Sequence, residues 1–245
     1  MLNCMNQEEQ WLLRDKYNGS ASADFEADMQ RLASGIPLAY VVGWVPFLHT
    51  KIYLDSHPLI PRPETEFWVS NAIADIKKSG IQNPKILDLC AGSGCIGVTM
   101  LNAIPDATVH FAEIDANHHQ TILKNITENG FENRDYAIFS GNLFEQITET
   151  YDVILTNPPY IDPELSGRIE SSVLNHEPKQ ALFGGSEGME LIEKIIKESP
   201  NHLKAHGILY VEHEPEQKAA IAALAPNTIS LPDQYGVIRY TLIRN

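Results

Sequence analysis

This chain predicts an α/β fold built on a mostly parallel sheet, and three observations carry that expectation. Short apolar runs alternate with helical stretches from Lys85 onward, glycines crowd the turn after the first run at Gly92, Gly94 and Gly97, and a later run stops abruptly at Asn157-Pro158-Pro159-Tyr160. Strands alternating with helices connect by right-handed crossovers and bury both faces of the sheet.

Ahead of that pattern, Phe25, Met29, Leu32 and Ile36 fall at helical spacing, so the passage from Trp11 to Ile36 reads as helical, ended by Gly35 and Pro37. Tyr40 to Ile60 has extended character, with Val41-Val42 and Ile52-Tyr53-Leu54 as the strands of a hairpin turning near Leu48-His49-Thr50. Pro58, Pro61 and Pro63 stiffen the approach to a helix over Phe67 to Lys78. Strands follow at Lys85–Leu89, Thr108–Ala112, Tyr136–Phe139, Asp152–Leu155 and Gly207–Val211, with helices over Cys95–Ala103, Asn117–Asn129 and Leu191–Glu198. Val237–Ile243 alternates and is expected to be a late antiparallel strand. The implied division is an N-terminal helical segment (1–39), a β-hairpin linker (40–62) and a main α/β domain (63–245).

Composition narrows the function. A formal charge of −14 over 245 residues argues against a broad phosphate-binding face, so stable nucleic-acid binding is not expected. Cys4, Cys90 and Cys95 have no metal-ligand spacing and read as free thiols of a reducing compartment, without a metal site. No basic start leads into a long apolar core, and no stretch approaches the ~18 apolar residues of a membrane span. A soluble, cytoplasmic, monomeric protein is the expectation.

The segment Asp88 to Gly97 joins the first strand to the first helix, and its glycines let the backbone bend and a ligand approach closely. Gly92, Gly94 and Gly97 form G-x-G-x-x-G, a weak signal shared by several nucleotide-binding enzymes. Asp88 shifts the balance: a carboxylate at this strand end disfavours a pyrophosphate and suits a ligand carrying an ammonium and a sulfonium. S-adenosylmethionine has both. Glu113, ending the second strand, is placed to accept hydrogen bonds from ribose hydroxyls, with Asp115 as the alternative partner or a helix-start residue. Asn142 and Leu143 are placed to meet an adenine edge and flank its ring.

Two prolines cannot extend a central strand, so the chain must leave the sheet at Asn157. The Asn157 amide, the Pro158 carbonyl and the Tyr160 ring then face a crevice, a geometry suited to a planar NH2 group. Among the histidines, His118 and His119 lie early in a helix and read as surface residues, while His110, His206 and His213 read as structural.

With these residues placed, the chain resembles the protein glutamine methyltransferases that modify peptide chain release factors, the HemK or PrmC family. The resemblance runs in order through Pro37-Leu38-Ala39-Tyr40-Val41-Val42-Gly43, Leu59-Ile60-Pro61-Arg62-Pro63-Glu64-Thr65-Glu66, the glycine loop, Asn157 to Ile161, Glu177-Pro178, Ala181 to Gly185 and Gly188. It implies a Rossmann-like methyltransferase fold with a seven-stranded sheet and S-adenosylmethionine as cofactor. It places Asp88, Leu89, Cys90, Ala91, Gly92, Gly94, Glu113, Asn142, Leu143 and Asn157 around that cofactor, with Arg62, Glu64 and Thr65 closing its side of the cleft. Asn157, Pro158, Pro159 and Tyr160 would hold a glutamine of a release factor, with Asn157, Pro158 and Tyr160 the catalytic group. Two departures stand out: the family commonly has Asp where this chain has Asn142, and its bacterial members usually carry a larger helical N-terminal domain than residues 1–39 allow. The competing readings are an adenine amine methyltransferase acting on nucleic acid, a silent cofactor-binding regulator, and a nicotinamide-dependent dehydrogenase resting on the glycine pattern alone.

Overall fold

A computed structural model describes residues 5–245, so Cys4 lies outside the described residues. Three helices come first: α1 (Gln7–Asp15), α2 (Ala23–Ala33) and α3 (Leu38–Val42). Asn6 and Glu9 close a capping box at the start of α1, and Ser22 caps α2 through the Phe25 amide. Leu12, Leu13, Phe25 and Val41 make a small apolar cluster of their own, with Met29, Leu32 and Ile36 packed against it.

Val41-Val42 is therefore helix, not strand. Pro37 sets up the first turn of α3 and Gly43, at φ +92°, ends it, which an extended β-branched pair between them does not allow. The hairpin begins at Trp44 instead, with β1 (Trp44–Phe47) antiparallel to β2 (Thr50–Tyr53). Asn125 holds it down: its amide oxygen accepts from the Tyr53 amide at 2.7 Å and its NH2 donates to the carbonyls of Tyr53 and Ser93.

After the hairpin come α4 (Pro63–Ser79), β3 (Lys85–Leu89), α5 (Cys95–Ala103), β4 (Thr108–Glu113), α6 (Asn117–Glu128), β5 (Tyr136–Ser140), β6 (Tyr151–Thr156), α7 (Ser171–His176), α8 (Glu190–Glu198), β7 (Leu203–Glu212), α9 (Lys218–Leu224), β8 (Thr228–Pro232) and β9 (Ile238–Arg244). The sheet order is β5-β4-β3-β6-β7-β9-β8. Pairings from β5 to β7 are parallel, and β9 runs antiparallel to both β7 and β8. Strand β8 and helices α7 and α9 were not foreseen from the apolar pattern, because each carries few buried residues.

Alternation along the strands divides the core. Ile86 and Val153 face one layer with Trp68, Val98 and Ile122, while Leu87 and Ile154 face another with Ile192, Leu209 and Ile221. Helices therefore cover both faces, as a parallel sheet of nearly continuous apolar strands requires. The strand order reverses between β3 and β6, whose carboxyl ends are tied by the Thr156 hydroxyl donating to the Leu89 carbonyl at 2.8 Å. Open α/β sheets hold ligands in the crevice outside such a reversal. No described helix is long and apolar enough to cross a membrane.

Candidate active site

The loop leaving β3 is shaped by three residues in the left-handed region: Cys90 at φ +61°, Gly92 at +54° and Gly94 at +76°. Only glycine adopts this region without strain, so Cys90 is held there by its surroundings at a cost of roughly 1–2 kcal/mol. Gly97, on α5, admits no side chain because a Cβ would overlap the Phe111 ring of β4. Its amide donates to Asp88 Oδ2 at 2.8 Å. The Gly92 amide donates to Glu113 Oε2, and the Asp115 amide to Glu113 Oε1, each at 2.8 Å. The tip of β4 is thus an anchor for the glycine turn.

Facing this loop is the tetrad at the end of β6. The Asn157 NH2 donates to Thr65 Oγ1 at 3.2 Å, and the Tyr160 hydroxyl donates to Glu212 Oε1 at 3.0 Å. Among the described residues, neither Asn157 Oδ1 nor the Pro158 carbonyl accepts a hydrogen bond from the chain. The tetrad is clamped from behind: Ile161 pairs with Phe183 as an isolated bridge, and Gln217 Nε2 donates to the Tyr160 carbonyl at 2.7 Å. A Cβ at Gly184 would overlap the Pro159 carbonyl, and one at Gly188 the Tyr160 carbonyl. The glycine-rich run after Ala181 is therefore a backing plate on which the prolines rest.

Between the two loops lies a cavity of about 300 Å3. Of the residues singled out from sequence, Thr65, Cys90, Ala91, Gly92, Glu113, Asn142, Leu143, Asn157 and Pro159 line it. The others lie around it. Asp88 is fully buried beneath the loop, Leu89 is in the sheet core, Gly94 caps α5, and Pro158 is buried, so Asn157 and Pro159 line the cavity where Pro158 was expected to face it. Arg62 turns to Glu177, donating to Oε1 at 2.5 Å, and Glu64 sits half-buried in the first turn of α4. Tyr160 borders a second, more acidic hollow with Glu187, Glu214 and Glu216.

The electrostatics of the cavity are one-sided. Its described lining carries the carboxylates of Glu113 and Asp115 and no lysine or arginine, which opposes a pyrophosphate and suits a cationic or neutral ligand. Beneath the loop, burial holds the Asp88 carboxyl well above the usual range, opposed by the Gly97 amide, and its Oδ1 is left without a partner. Burial, seconded by Glu113, pushes the Cys90 thiol up to about 12, and burial raises Cys95 as well. Neither cysteine is a nucleophile at neutral pH.

Sequence comparison decides the family. A family model described as "Methyltransferase small domain" matches residues 70–186. The release factor glutamine methyltransferase of Lactococcus lactis subsp. lactis (strain IL1403) is 31% identical over 214 residues, covering 87% of this chain and 77% of the relative. The chain belongs to the release factor glutamine methyltransferase family. A second curated relative, the ribosomal protein uL3 glutamine methyltransferase of Bordetella pertussis (strain Tohama I), is 31% identical over 201 residues, 80% of this chain and 67% of its own length. Among solved structures, the 16S rRNA methyltransferase RsmC of T. thermophilus, in complex with AdoMet and guanosine, superposes with a TM-score of 0.59 over 82% of this chain and 49% of that one, at 14% identity. That likeness establishes the Rossmann-like methyltransferase fold.

This glutamine methyltransferase also places at the site residues that the sequence reading passed over. His118 is buried, not on the surface: its Nδ1 meets Ser56 Oγ at 2.8 Å and its ring lines the cavity. Its spacing from Thr121, Ile122 and Asn125 puts it on the buried stripe of α6, a signal legible in the sequence. Glu212 ends β7 as Glu113 ends β4, so the rule that selected one carboxylate selects the other.

Proposed function

We propose that this enzyme transfers a methyl group from S-adenosylmethionine to the side-chain amide nitrogen of a glutamine in a peptide chain release factor, acting as a cytoplasmic monomer. One observation carries the reading: Asn157, whose Oδ1 accepts no hydrogen bond from the described chain, lines a cavity that bears negative charge only, and the neighbouring Pro158 carbonyl is likewise unused. The cavity fits the donor. Cys90 to Gly92 would wrap the amino-acid end, Glu113 would accept from the ribose, and Asn142 and Leu143 would meet the adenine.

S-adenosylmethionine supplies an electrophilic methyl on a sulfonium. The protein must cope with a poor nucleophile, because the carboxamide lone pair is delocalised into its carbonyl. Accepting both N–H hydrogens at Asn157 Oδ1 and the Pro158 carbonyl aims the nitrogen and favours the positive charge that develops on it. Tyr160, pinned through its hydroxyl and its carbonyl, would pack on the flat amide of the glutamine. The methylated nitrogen is acidic enough to release its proton to water, so no protein base is assigned. The helices of residues 1–39 are proposed to contact the protein substrate.

The test is mass spectrometry of release factor and of ribosomal protein uL3, each incubated with enzyme and S-adenosylmethionine. A one-methyl gain on a release-factor glutamine supports the reading. Gain in uL3 alone moves the substrate, and label entering DNA or RNA alone overturns the glutamine reading. Asn157→Ala should abolish transfer while keeping the wild-type melting profile.

A further inference from the structure

We infer that Thr65 and Glu212 are positioning residues: a two-step hydrogen-bond relay that fixes which end of the Asn157 amide faces the substrate. The inference rests on the proposed role of Asn157 Oδ1 as acceptor of the glutamine NH2. Its starting point is an ambiguity of shape, since the oxygen and nitrogen ends of a carboxamide occupy nearly the same space. Turned the wrong way, Asn157 would set an NH2 against the substrate's NH2, donor against donor.

The relay removes that choice by proton counting. Glu212, 1% exposed at the end of β7, accepts the Trp68 indole N–H at 2.6 Å on Oε2. An indole N–H only donates, so Oε2 is an acceptor. The Thr65 hydroxyl donates to the same oxygen at 2.7 Å, which uses its one proton. Toward Asn157, Thr65 Oγ1 can then offer only a lone pair, and the NH2 end of the amide takes it at 3.2 Å. Oδ1 is left pointing away from Thr65, free to accept.

Each member is held where it stands. Thr65 is 2% exposed in the first turn of α4, whose start is fixed by Pro63. Trp68, one turn on, stacks with Tyr210, at 6.3 Å and 11°, and with Tyr240, at 5.9 Å and 26°. The relay thus joins α4, β6 and β7, with 92 residues separating Thr65 from Asn157 and 147 separating it from Glu212. Glu212 acts here through its two oxygens, Oε2 accepting from Trp68 and Thr65 and Oε1 from Tyr160. A glutamine in its place would still turn its oxygen to the Trp68 N–H, keeping the polarity of the relay, and its NH2 to the Tyr160 hydroxyl, which can accept.

The experiment compares Thr65→Val, Thr65→Ser, Glu212→Gln and Glu212→Met with wild type and Asn157→Ala, measuring methyl transfer to release factor and the Kd for S-adenosylhomocysteine. Thr65→Val should lower kcat by about 10- to 100-fold with the Kd unchanged, because one orienting hydrogen bond is lost. Thr65→Ser should stay within about threefold of wild type, as should Glu212→Gln, while Glu212→Met should fall with Thr65→Val. If Thr65→Val proves unfolded by its melting profile, the Glu212→Gln and Glu212→Met pair reads the same relay. Full activity in Thr65→Val or Glu212→Met beside an inactive Asn157→Ala overturns the relay alone. An inactive Glu212→Gln, or a Kd that weakens in step with kcat in Thr65→Val, overturns it too. An active Asn157→Ala fails the underlying reading instead.

Discussion

The Glu113 carboxylate, at the tip of β4, accepts the Gly92 amide of the neighbouring loop at 2.8 Å, so the residue proposed to meet the ribose also fixes the turn proposed to hold the rest of the cofactor. Its second oxygen accepts the Asp115 amide, and each oxygen keeps a lone pair for a ligand. Glu113→Ala should therefore weaken S-adenosylhomocysteine binding more than the loss of one ribose contact, by about 2–3 kcal/mol in calorimetry. Glu113→Gln keeps one acceptor and should lose roughly half as much. Equal affinities for wild type and Glu113→Ala would remove Glu113 from the site.

The backing of the tetrad gives a sharper steric prediction. Gly188 has φ +66°, and a Cβ there would overlap the Tyr160 carbonyl and crowd the Gln217 amide that bonds to it. Gly188→Ala should destabilise the fold by about 2–3 kcal/mol and lower methyl transfer, because the only relief is to move the tetrad. Gly236→Ala is the control, with φ +82° and no atom within 4 Å of the added Cβ. It should lose only the left-handed backbone preference, about 1 kcal/mol, and keep full activity. Two variants with the same loss of activity would mean that backbone strain, not the clash, governs the site.

The sheet was legible in the sequence where apolar runs are long and buried: β3 and α5 have the predicted bounds, and β4 and β6 differ by a residue or two. It was not legible where burial is partial, as in β8, or where two valines serve a helix turn set by flanking Pro37 and Gly43. The site divides the same way. Strand-end loops announced Gly92, Glu113 and Asn157, since their residue types are dictated by backbone or ligand geometry. Asp88 was placed at the right strand end, but alternation aims its side chain beneath the loop, toward the Gly97 amide and away from the open cavity. Partnerships such as Thr65 with Glu212 depend on contacts between residues far apart in the chain, which no local pattern encodes.

Glu177 ties the Arg62 segment down. Its side chain is 1% exposed and accepts both the Arg62 guanidinium at 2.5 Å and the Ile60 amide at 3.0 Å, on either side of the cavity-lining Pro61. Truncation leaves a guanidinium and an amide without their acceptor. Because Arg62 remains partly open to water, the loss should fall at about 2–3 kcal/mol, below that of a fully buried pair. Urea denaturation of Glu177→Ala measures it, and a loss under about 1 kcal/mol would show that solvent replaces both contacts.

The acid limb of stability should report on His110. This imidazole is buried in β4, with Nδ1 2.9 Å from the Tyr151 hydroxyl and its ring against Phe139. Burial, reinforced by the positive charge of Lys85, lowers its pKa from 6.5 to about 4. The unfolded chain therefore takes up a proton near pH 6.5, whereas the fold resists doing so until about 4. The stability contributed by neutral His110 is complete above pH 6.5 and is lost as pH falls through 4, about 3 kcal/mol in all. His110→Gln can still bond to Tyr151 but does not titrate. Chemical denaturation at pH 7 and at pH 4 should show wild type losing about 3 kcal/mol more than the variant between the two conditions. Parallel losses in the two proteins would assign the acid sensitivity to other groups, of which His213 and His202, also lowered by burial, are the next to replace.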